Sequence, residues 1–355
     1  MSVETGTTTD LTLPGLDAPG AGTSPVPGHW REHTAHKRLM VFSGRSHPAL
    51  AANIAHKLGV ELGEVTLKTF ANGETYCRFE ESIRGADLFL VQTGCAPVDR
   101  NLMELLIMVQ AAKLASAKRI TVVMPWYPYS RQDKKSAPRE PVTGKLVADF
   151  LEKAGADRVL TMDLHAGQIQ GFFSIPVDHM TALPLFAQHF RDQGLVGEGI
   201  VSVAPDAGRA KMGVKFGEMI EADFAIMHKT RPAHDQAAVT EVTGRVRDKI
   251  AVVGDDVIMT GGTLISGARA LREAGARKVY LFATHGIFAR DGLEQLGAAD
   301  EVDGIVVTDT VPIDELRRPD KLTVLSVSNL LAETIWNVFS DESVSAIFAG
   351  ENQLF

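Results

Sequence analysis

Two adjacent acids followed by a Thr/Gly loop form the most informative stretch of the sequence. It reads Val252-Val253-Gly254-Asp255-Asp256-Val257-Ile258-Met259-Thr260-Gly261-Gly262-Thr263, an apolar strand that leads into a helix. Backbone N–H groups of the turn and of the helix N-terminus can bind a phosphate, and glycine lets the ligand approach the main chain. Carboxylates at the end of a parallel strand can accept hydrogen bonds from vicinal ribose hydroxyls or hold Mg²⁺ through water. A sugar phosphate satisfies both halves, whereas a Gly-rich turn with a helix-capping acid is the weaker alternative.

Two further polar residues follow apolar runs that are predicted as strands. His165 comes after the run at 158–162, and Asp206 comes after the run at 200–204. Ligands of α/β proteins bind at the carboxyl ends of parallel strands, so both residues are candidates for a site. A lone histidine is more often structural, and the residue types by themselves leave its role open.

A loop is predicted over residues 229–238, where Pro232 lies among charged and small residues between two strand-like runs. Lys229 and Arg231 are at its start. Two cations on a closing loop can neutralise a phosphoryl group in transfer and exclude water. The alternative is a solvated basic pair on a surface loop.

The elements that must position these residues follow from an alternation of short apolar runs with amphipathic stretches. Strands are predicted at 39–42, 88–92, 120–125, 158–162, 200–204, 224–227, 250–253 and 279–283, and helices at 47–58, 98–116, 141–154, 182–193, 208–220 and 262–274. Such alternation predicts βαβ units and a parallel sheet. We therefore predict an α/β protein with two tandem domains, at 38–179 and 180–355, each a mainly parallel sheet flanked by helices. Residues 1–37, rich in Thr, Gly, Pro and Ser, are predicted to be a disordered tail.

Composition narrows the class of partner. The 355 residues carry a formal net charge of −8, which opposes nonspecific binding to nucleic acid or to an anionic membrane. Apolar runs are too short to span a bilayer, and the amino terminus lacks the pattern of a secretory signal. Cys77 and Cys95 form no CxxC pair. We expect a cytoplasmic protein with small-molecule partners.

Several separate motifs resemble those of the ribose-phosphate diphosphokinases, a family with the phosphoribosyltransferase-type fold. Besides the acid and Thr/Gly stretch, they are Phe70-Ala71-Asn72-Gly73-Glu74, Glu81-Ser82-Ile83-Arg84-Gly85, Asn101-Leu102-Met103-Glu104-Leu105-Leu106, Tyr129-Ser130-Arg131-Gln132-Asp133-Lys134, Met162-Asp163-Leu164-His165-Ala166-Gly167-Gln168, Pro205-Asp206-Ala207-Gly208 and Ser343-Val344-Ser345. The resemblance runs from about Leu39 to Phe355. It implies transfer of the diphosphoryl group of Mg·ATP to the 1-hydroxyl of ribose 5-phosphate, which gives phosphoribosyl diphosphate and AMP.

The resemblance also implies a role for individual residues and an assembly. The catalytic cations would be Lys229 and Arg231. ATP would be bound by Phe70, Asn72, Glu74, Arg131, Gln132 and Asp133, and Mg²⁺ by His165 and Asp206. Ribose 5-phosphate would be bound by Arg231, Asp255, Asp256, Met259, Thr260, Gly261, Gly262 and Thr263. Activating phosphate and inhibitory ADP would be bound by Ser82, Arg84, Ser343 and Ser345. The family generally forms hexamers built from dimers, in which residues such as Phe70 reach across a subunit interface.

The sequence departs from the family pattern at a few positions. Met259 stands where another Asp is common, Gly254 where an apolar residue is usual, and Thr230 where Arg is common between the two cations. We expect the missing carboxylate at Met259 to leave the loop less ordered and to weaken binding of ribose 5-phosphate by about 1.5–3 kcal/mol. If a carboxylate at this position mainly repelled the phosphate, its absence would leave binding of ribose 5-phosphate intact.

Two other functions compete with this one. A catalytically weak regulatory paralogue is favoured by Met259. It is disfavoured by the retained residues Lys229, Arg231, His165, Asp206, Asp255 and Asp256. A phosphoribosyltransferase that transfers a base would share the sugar-phosphate loop but would lack the ATP-binding set.

Overall fold

The computed structural model describes residues 37–230 and 239–345. The described residues from Arg38 onward belong to one compact unit. In this part of the chain, no helix has both the length and the apolar character needed to cross a bilayer.

Strands and helices alternate along most of the chain. The strands are β1 (Leu39–Ser43), β2 (Val65–Thr69), β3 (Thr75–Phe79), β4 (Asp87–Val91), β5 (Arg119–Val123), β6 (Arg158–Met162), β7 (Val177–Met180), β8 (Ile200–Ala204), β9 (Asp223–Thr230), β10 (Val239–Thr243), β11 (Ile250–Ile258), β12 (Lys278–Gly286), β13 (Gly304–Thr308) and β14 (Leu322–Leu325). The α-helices are α1 (Pro48–Leu58), α2 (Val98–Leu114), α3 (Thr143–Ala154), α4 (Leu183–Asp192), α5 (Ala210–Met219), α6 (Gly262–Glu273), α7 (Gly292–Ala298) and α8 (Ser328–Ser340).

These strands form two large sheets and a separate hairpin. The first sheet, in the order β1-β4-β5-β6-β7, is parallel throughout. The second, in the order β10-β9-β8-β11-β12-β13-β14, is parallel except for the pairing of β9 with β10. β2 and β3 pair with each other in antiparallel fashion. The predicted α/β class with mainly parallel sheets is confirmed, while the division into domains at residue 179 stays a prediction.

Local sequence explains why the elements begin and end where they do. Pro48 occupies the first turn of α1, where its missing N–H costs nothing, and Gly59 ends the helix with a φ of 69°. α3 ends in the same way at Gly155. Every residue of β4 is buried, as expected for a strand of a parallel sheet covered on both faces.

One hydrophobic cluster contains side chains from both sheets. Leu50 of α1 and Phe89 of β4 belong to it, together with Phe282 of β12 and Ile335 of α8. Phe186 of α4 packs on Phe282 with ring centroids 4.8 Å apart. The two sheets therefore share a continuous core.

Buried hydrogen bonds also join the end of β6 to the end of β12. Asp163 Oδ2 accepts from Thr284 Oγ1 at 2.6 Å and from the backbone N–H of Ala182 at 2.8 Å. His285 is fully buried, and its Nε2 lies 3.1 Å from the carbonyl oxygen of Met162, to which it donates. Burial lowers the pKa of His285. This polar joint fixes the chain immediately before His165.

The structure differs from the sequence-based expectation in the length of β11. The strand was expected to end at Val253, but it continues to Ile258 because β12 pairs with it as far as Gly286. Asp255 and Asp256 therefore lie inside the strand, and both carboxylates contact Arg209. Two adjacent carboxylates are typical of the residues that follow a strand, and for this reason the sequence did not predict that β11 continues through them. β7, β13, β14, α7 and α8 were not predicted either.

Thr284→Val tests the polar joint. The substitution keeps the shape of the side chain and removes the hydroxyl that donates to Asp163, so it should lower the free energy of unfolding by about 1–3 kcal/mol. The measurement is the urea midpoint followed by circular dichroism. Thr323→Val, at an exposed position of β14, is the matched control and should change the value by less than about 0.5 kcal/mol. Equal effects of the two substitutions would show that the joint does not stabilise the fold.

Candidate active site

A cavity of about 790 Å³ lies where the carboxyl ends of strands from both sheets meet. β6 leads into His165, β8 leads into Asp206, and β11 carries the paired acids. The lining includes Arg131, Asp133, Lys134, His165, Gln168, Asp206, Arg209, Asp255, Asp256, Met259, Thr260, Gly261 and Thr263. The cavity thus brings together the sequence-predicted metal pair, the acids and the Thr/Gly loop.

The centre of this cavity is a hydrogen-bonded group of four side chains. Arg209 donates from Nη2 to Asp256 Oδ1 at 2.6 Å and from Nε to Asp255 Oδ1 at 3.2 Å. His165 Nδ1 lies 2.7 Å from Asp256 Oδ2. The side chain of Asp256 is 3% exposed and that of Asp255 is 24% exposed. Asp255 is therefore the carboxylate that faces the cavity.

The two acids differ in their affinity for protons. Burial and the neighbouring Asp256 raise the pKa of Asp255 well above its ordinary value. Burial would also raise the pKa of Asp256, but the hydrogen bond from His165 and the charge of Arg209 outweigh it, so this pKa falls below its usual range. The pair consequently keeps its negative charge on Asp256, between a guanidinium and an imidazole.

The tautomer of His165 follows from its neighbours. Its Nδ1 is 3.0 Å from Arg209 Nη2 as well as 2.7 Å from Asp256 Oδ2, and it cannot accept from one and donate to the other at once. Arg209 Nη2 already donates to Asp256 Oδ1, so we assign the Nδ1 proton to the contact with Asp256. The lone pair of Nε2 is then available to a ligand, as in metal sites where a carboxylate orients the histidine.

His165 and the exposed carboxylate of Asp206 are suitable but sparse metal ligands. Among the described residues, no group of three or more His, Cys, Asp or Glu side chains could hold a metal ion. Mg²⁺ prefers oxygen ligands, keeps several waters and is commonly held in part by substrate phosphates. The donor set fits an ion that a nucleotide brings with it.

The Thr/Gly loop leads directly into α6. Gly261 is the N-cap of this helix with a φ of 76°, and no side chain caps the helix. A Cβ at Gly261 would lie 2.6 Å from Leu296 Cγ, whereas a Cβ at Gly262 would meet nothing within 4 Å. The first N–H groups of the helix and its dipole are thus open to an anion, and Gly262 and Thr263 are exposed.

Met259 is half-buried at the start of this loop. It packs against an apolar cluster that contains Cys95, Trp126, Val257 and Val311. Its carbonyl oxygen accepts from the N–H of Ala289 at 2.8 Å. The start of the loop is held by apolar packing and by the main chain, where the family pattern has a carboxylate.

Gly254 precedes the acids because the neighbouring strand leaves no room for a side chain. It pairs with Phe282 of β12, and a Cβ at Gly254 would lie 2.3 Å from the ring of Phe282. This departure from the family pattern is therefore compensated within the core.

The residues predicted to bind ATP lie in two places. Arg131 and Asp133 line the cavity, and Asp133 accepts from Gln168 Nε2 at 2.8 Å. Gln132 is next to them and accepts from Thr143 Oγ1 at 2.5 Å. The other three residues, Phe70, Asn72 and Glu74, do not line the described part of the cavity.

The hairpin of β2 and β3 carries these three residues. The predicted turn at Asn72 and Gly73 is confirmed, with Gly73 at a φ of 92° and the N–H of Phe70 donating to the carbonyl of Glu74 at 2.8 Å. The side chain of Phe70 is 53% exposed. The hairpin therefore exposes an aromatic ring on the surface of the protein.

The predicted catalytic cations are only partly placed. The main chain of Lys229 pairs with Thr240 near the end of β9. Arg231 lies outside the described residues.

A second cavity, of about 800 Å³, lies near the end of the described chain. Ser343 and Ser345 line it together with Arg119, Arg158 and Lys211, and their hydroxyls are 2.9 Å apart. Ser82 and Arg84 are not among its lining residues. The sequence-predicted regulatory set is therefore not brought together within the described part of one chain.

Sequence reasoning missed Arg209. It directly follows the Pro205-Asp206-Ala207-Gly208 motif and immediately precedes α5, where a basic residue normally faces solvent. Its burial could be foreseen only from the position of the acids, which lie 46 and 47 residues further along the chain.

Gly261→Ala tests the geometry of the loop. The positive φ and the contact with Leu296 should make this substitution lower the free energy of unfolding by at least about 1 kcal/mol. Gly262→Ala is the neighbouring control and should have little effect, since its Cβ enters open space. Urea unfolding compares the two variants, and a Gly261→Ala protein as stable as Gly262→Ala would contradict the loop conformation.

Comparisons with known proteins identify the family of the chain. Residues 39–155 match the family described as the N-terminal domain of ribose phosphate pyrophosphokinase, and residues 224–349 match the phosphoribosyl synthetase-associated domain. The ribose-phosphate pyrophosphokinase of Fusobacterium nucleatum is 46% identical over 310 residues, which cover 87% of this chain and 98% of that protein. That of Corynebacterium efficiens is 46% identical over 332 residues, which cover 92% of this chain and 100% of that protein.

A solved structure gives the same result in three dimensions. The crystal structure of phosphoribosylpyrophosphate synthetase from Mycobacterium smegmatis superposes with a TM-score of 0.80 at 44% identity, covering 86% of this chain and 100% of that one. Similarity of this extent, over two matched domains and nearly the full length of the relatives, shows that the chain belongs to the ribose-phosphate pyrophosphokinase family.

Proposed function

We propose that this protein transfers the diphosphoryl group of Mg·ATP to the 1-hydroxyl of ribose 5-phosphate. The products are 5-phosphoribosyl 1-diphosphate, which serves nucleotide biosynthesis, and AMP. The observation that carries the proposal is the single cavity that joins His165 and Asp206 to Asp255, Asp256 and an uncapped helix N-terminus. It combines a place for a metal-bound nucleotide with a place for a sugar phosphate.

The sugar phosphate lies across the carboxyl end of β11 in this proposal. Its 5-phosphate accepts hydrogen bonds from the N–H groups at Thr260 to Thr263 and is favoured by the dipole of α6. Its vicinal hydroxyls donate to the acids, of which Asp255 is the more exposed. Phosphate and hydroxyls bound at two fixed points orient the 1-hydroxyl toward the nucleotide.

The nucleotide occupies the opposite side of the cavity. Arg131 is exposed there and can take phosphate charge, and Gln132 beside it can recognise an adenine edge. Asn72 and Phe70 do not line this cavity in the described chain, so in this proposal they contact the adenine of a nucleotide bound by another subunit, as the resemblance implies. His165 Nε2 and Asp206 would hold Mg²⁺, which supplies charge neutralisation on the phosphate oxygens of ATP. The ribose oxygen attacks the β-phosphorus, the bond from this phosphorus to the oxygen of the α-phosphate breaks, and AMP leaves.

The hexameric assembly, the cytoplasmic location and the regulatory role of Ser82, Arg84, Ser343 and Ser345 remain predictions that the resemblance and the composition support. Arg119, Arg158 and Lys211 lie in the cavity with Ser343 and Ser345, but Arg119 is paired with Asp87 and Asp341 and Arg158 with Asp178, so an anion such as phosphate would have to compete with these carboxylates. Activity that is indifferent to phosphate and ADP would contradict this regulatory role.

Release of AMP from ATP in the presence of ribose 5-phosphate tests the function. The wild type should form AMP and phosphoribosyl diphosphate in equal amounts. Lys229→Ala and Arg231→Ala should each lower kcat by at least about 100-fold, because a preorganised charge on the transferring group is lost. Thr230→Ala, between the two cations, is the uncharged control and should keep most of the activity.

The outcomes separate the candidate functions. A protein that binds both substrates but releases no AMP would be a regulatory paralogue. Release of diphosphate from phosphoribosyl diphosphate and a base would instead show a base-transferring enzyme. Normal turnover in Lys229→Ala and in Arg231→Ala would refute their catalytic role.

Met259→Asp tests the effect of the missing carboxylate. If such a carboxylate orders the loop, this variant should lower the KM for ribose 5-phosphate by about tenfold or more, the equivalent of one hydrogen bond to a charged group. Met259→Leu keeps the apolar packing without adding a charge and should retain the KM of the wild type. An unchanged or higher KM in Met259→Asp would show that the apolar cluster already orders the loop.

A further inference from the structure

Arg209 links Asp206, a candidate metal ligand, to the paired acids Asp255 and Asp256 of β11. Its backbone N–H donates to Asp206 Oδ1 at 3.2 Å, so the main chain at this point is fixed to a candidate metal ligand. Its side chain, 10% exposed, extends from there to the paired acids of β11.

The guanidinium group contacts both acids and the main chain of His165. Nε donates to Asp255 Oδ1 at 3.2 Å, and Nη2 donates to Asp256 Oδ1 at 2.6 Å and to the carbonyl oxygen of His165 at 3.2 Å. A planar guanidinium spreads its donors in a fixed fork, which a lysine ammonium cannot reproduce. Arg209 therefore sets both the charge and the relative position of these groups.

This arrangement bears on what the acids can bind. Two adjacent carboxylates at the end of a strand could receive either a divalent cation or the hydroxyl groups of a sugar. A divalent cation that bridged both carboxylates would meet Arg209 at the Oδ1 atom of each acid and His165 at Asp256 Oδ2, and it would be repelled by the guanidinium charge. Hydroxyl donors are neutral, and the more exposed Asp255 can still accept from them.

The contacts of Asp256 reinforce this preference. Its Oδ1 accepts from Arg209 and its Oδ2 accepts from His165, and its side chain is only 3% exposed. In the described part of the chain, no third carboxylate, histidine or cysteine completes a metal-binding group with the pair.

We propose that the guanidinium group of Arg209 serves as the cation of the Asp255 and Asp256 pair. It excludes a divalent cation from between these carboxylates and positions them to accept hydrogen bonds from sugar hydroxyls. Arg209 is a positioning residue, since it acts through the acids. Only the identification of the hydroxyls as those of ribose 5-phosphate rests on the proposed function.

Binding of Mn²⁺ to the nucleotide-free protein tests the exclusion of the cation. Mn²⁺ serves as the probe because the free ion is quantified by electron paramagnetic resonance. Arg209→Gln removes the charge and should add one Mn²⁺ site, or tighten binding by at least tenfold. The added site should be lost in the double variant Arg209→Gln/Asp255→Asn. Arg209→Gln binding with the stoichiometry and affinity of the wild type would overturn the proposal.

Asp255→Asn in the otherwise unchanged protein provides a second test, which remains available if Arg209→Gln fails to fold. If Arg209 keeps the pair free of cations, this variant should bind Mn²⁺ as the wild type does. A loss of Mn²⁺ binding would place an ion on the pair and refute the proposal.

Arg209→Lys separates charge from position. It should leave Mn²⁺ binding as in the wild type and raise the KM for ribose 5-phosphate at least tenfold, since the charge remains and the fork is lost. A wild-type KM in this variant would refute the positioning role. The Mn²⁺ measurements need no turnover, so a protein that releases no AMP would contradict the proposed function and leave the cation test decisive.

Discussion

The buried hydrogen bonds between the ends of β6 and β12 determine where the active site can form. Asp163 and His285 are sequestered from water, and each is satisfied only by groups from the other sheet or from the chain beside it. Buried polar groups without partners are costly, so the two strand ends are held in one relative position. His165 lies two residues after Asp163. Its ring therefore reaches Asp256 of β11, the strand that pairs with β12.

Electrostatics within the cavity follow from that placement. Four ionisable side chains meet in a small volume of low solvent exposure, where an unpaired charge would be destabilising. Arg209 supplies the positive charge that the acids require, and His165 shares Asp256 with it. The protein as a whole has a formal net charge of −8, so the attraction of phosphorylated substrates must come from local groups such as Arg131 and the N-terminus of α6.

The Thr/Gly loop has an apolar residue, Met259, at a position where the family pattern has a carboxylate. Met259 packs on an apolar cluster, and the main chain beside it is held by the N–H of Ala289. Gly261 provides the left-handed turn that opens α6, where Leu296 excludes any side chain. Apolar packing and backbone geometry therefore fix the start of the loop at this position.

Much of the fold and part of the site could be predicted from the sequence, because they depend on neighbours along the chain. Apolar runs alternating with amphipathic stretches predicted the α/β class, and Asn72 and Gly73 predicted the hairpin turn. The acids and the Thr/Gly loop were predicted to form one site, and they line one cavity, while binding of a sugar phosphate there stays a prediction. The continuation of β11 through Asp255 and Asp256 was decided by its pairing with β12, which no local pattern encodes. The buried position of Arg209 depends on carboxylates 46 and 47 residues away, and the polar joint links residues as distant as Asp163 and Thr284. Sequence alone therefore determined which chemical groups are available, and only the tertiary structure decided which of them share a cavity, since that depends on how the strands of two sheets are brought together.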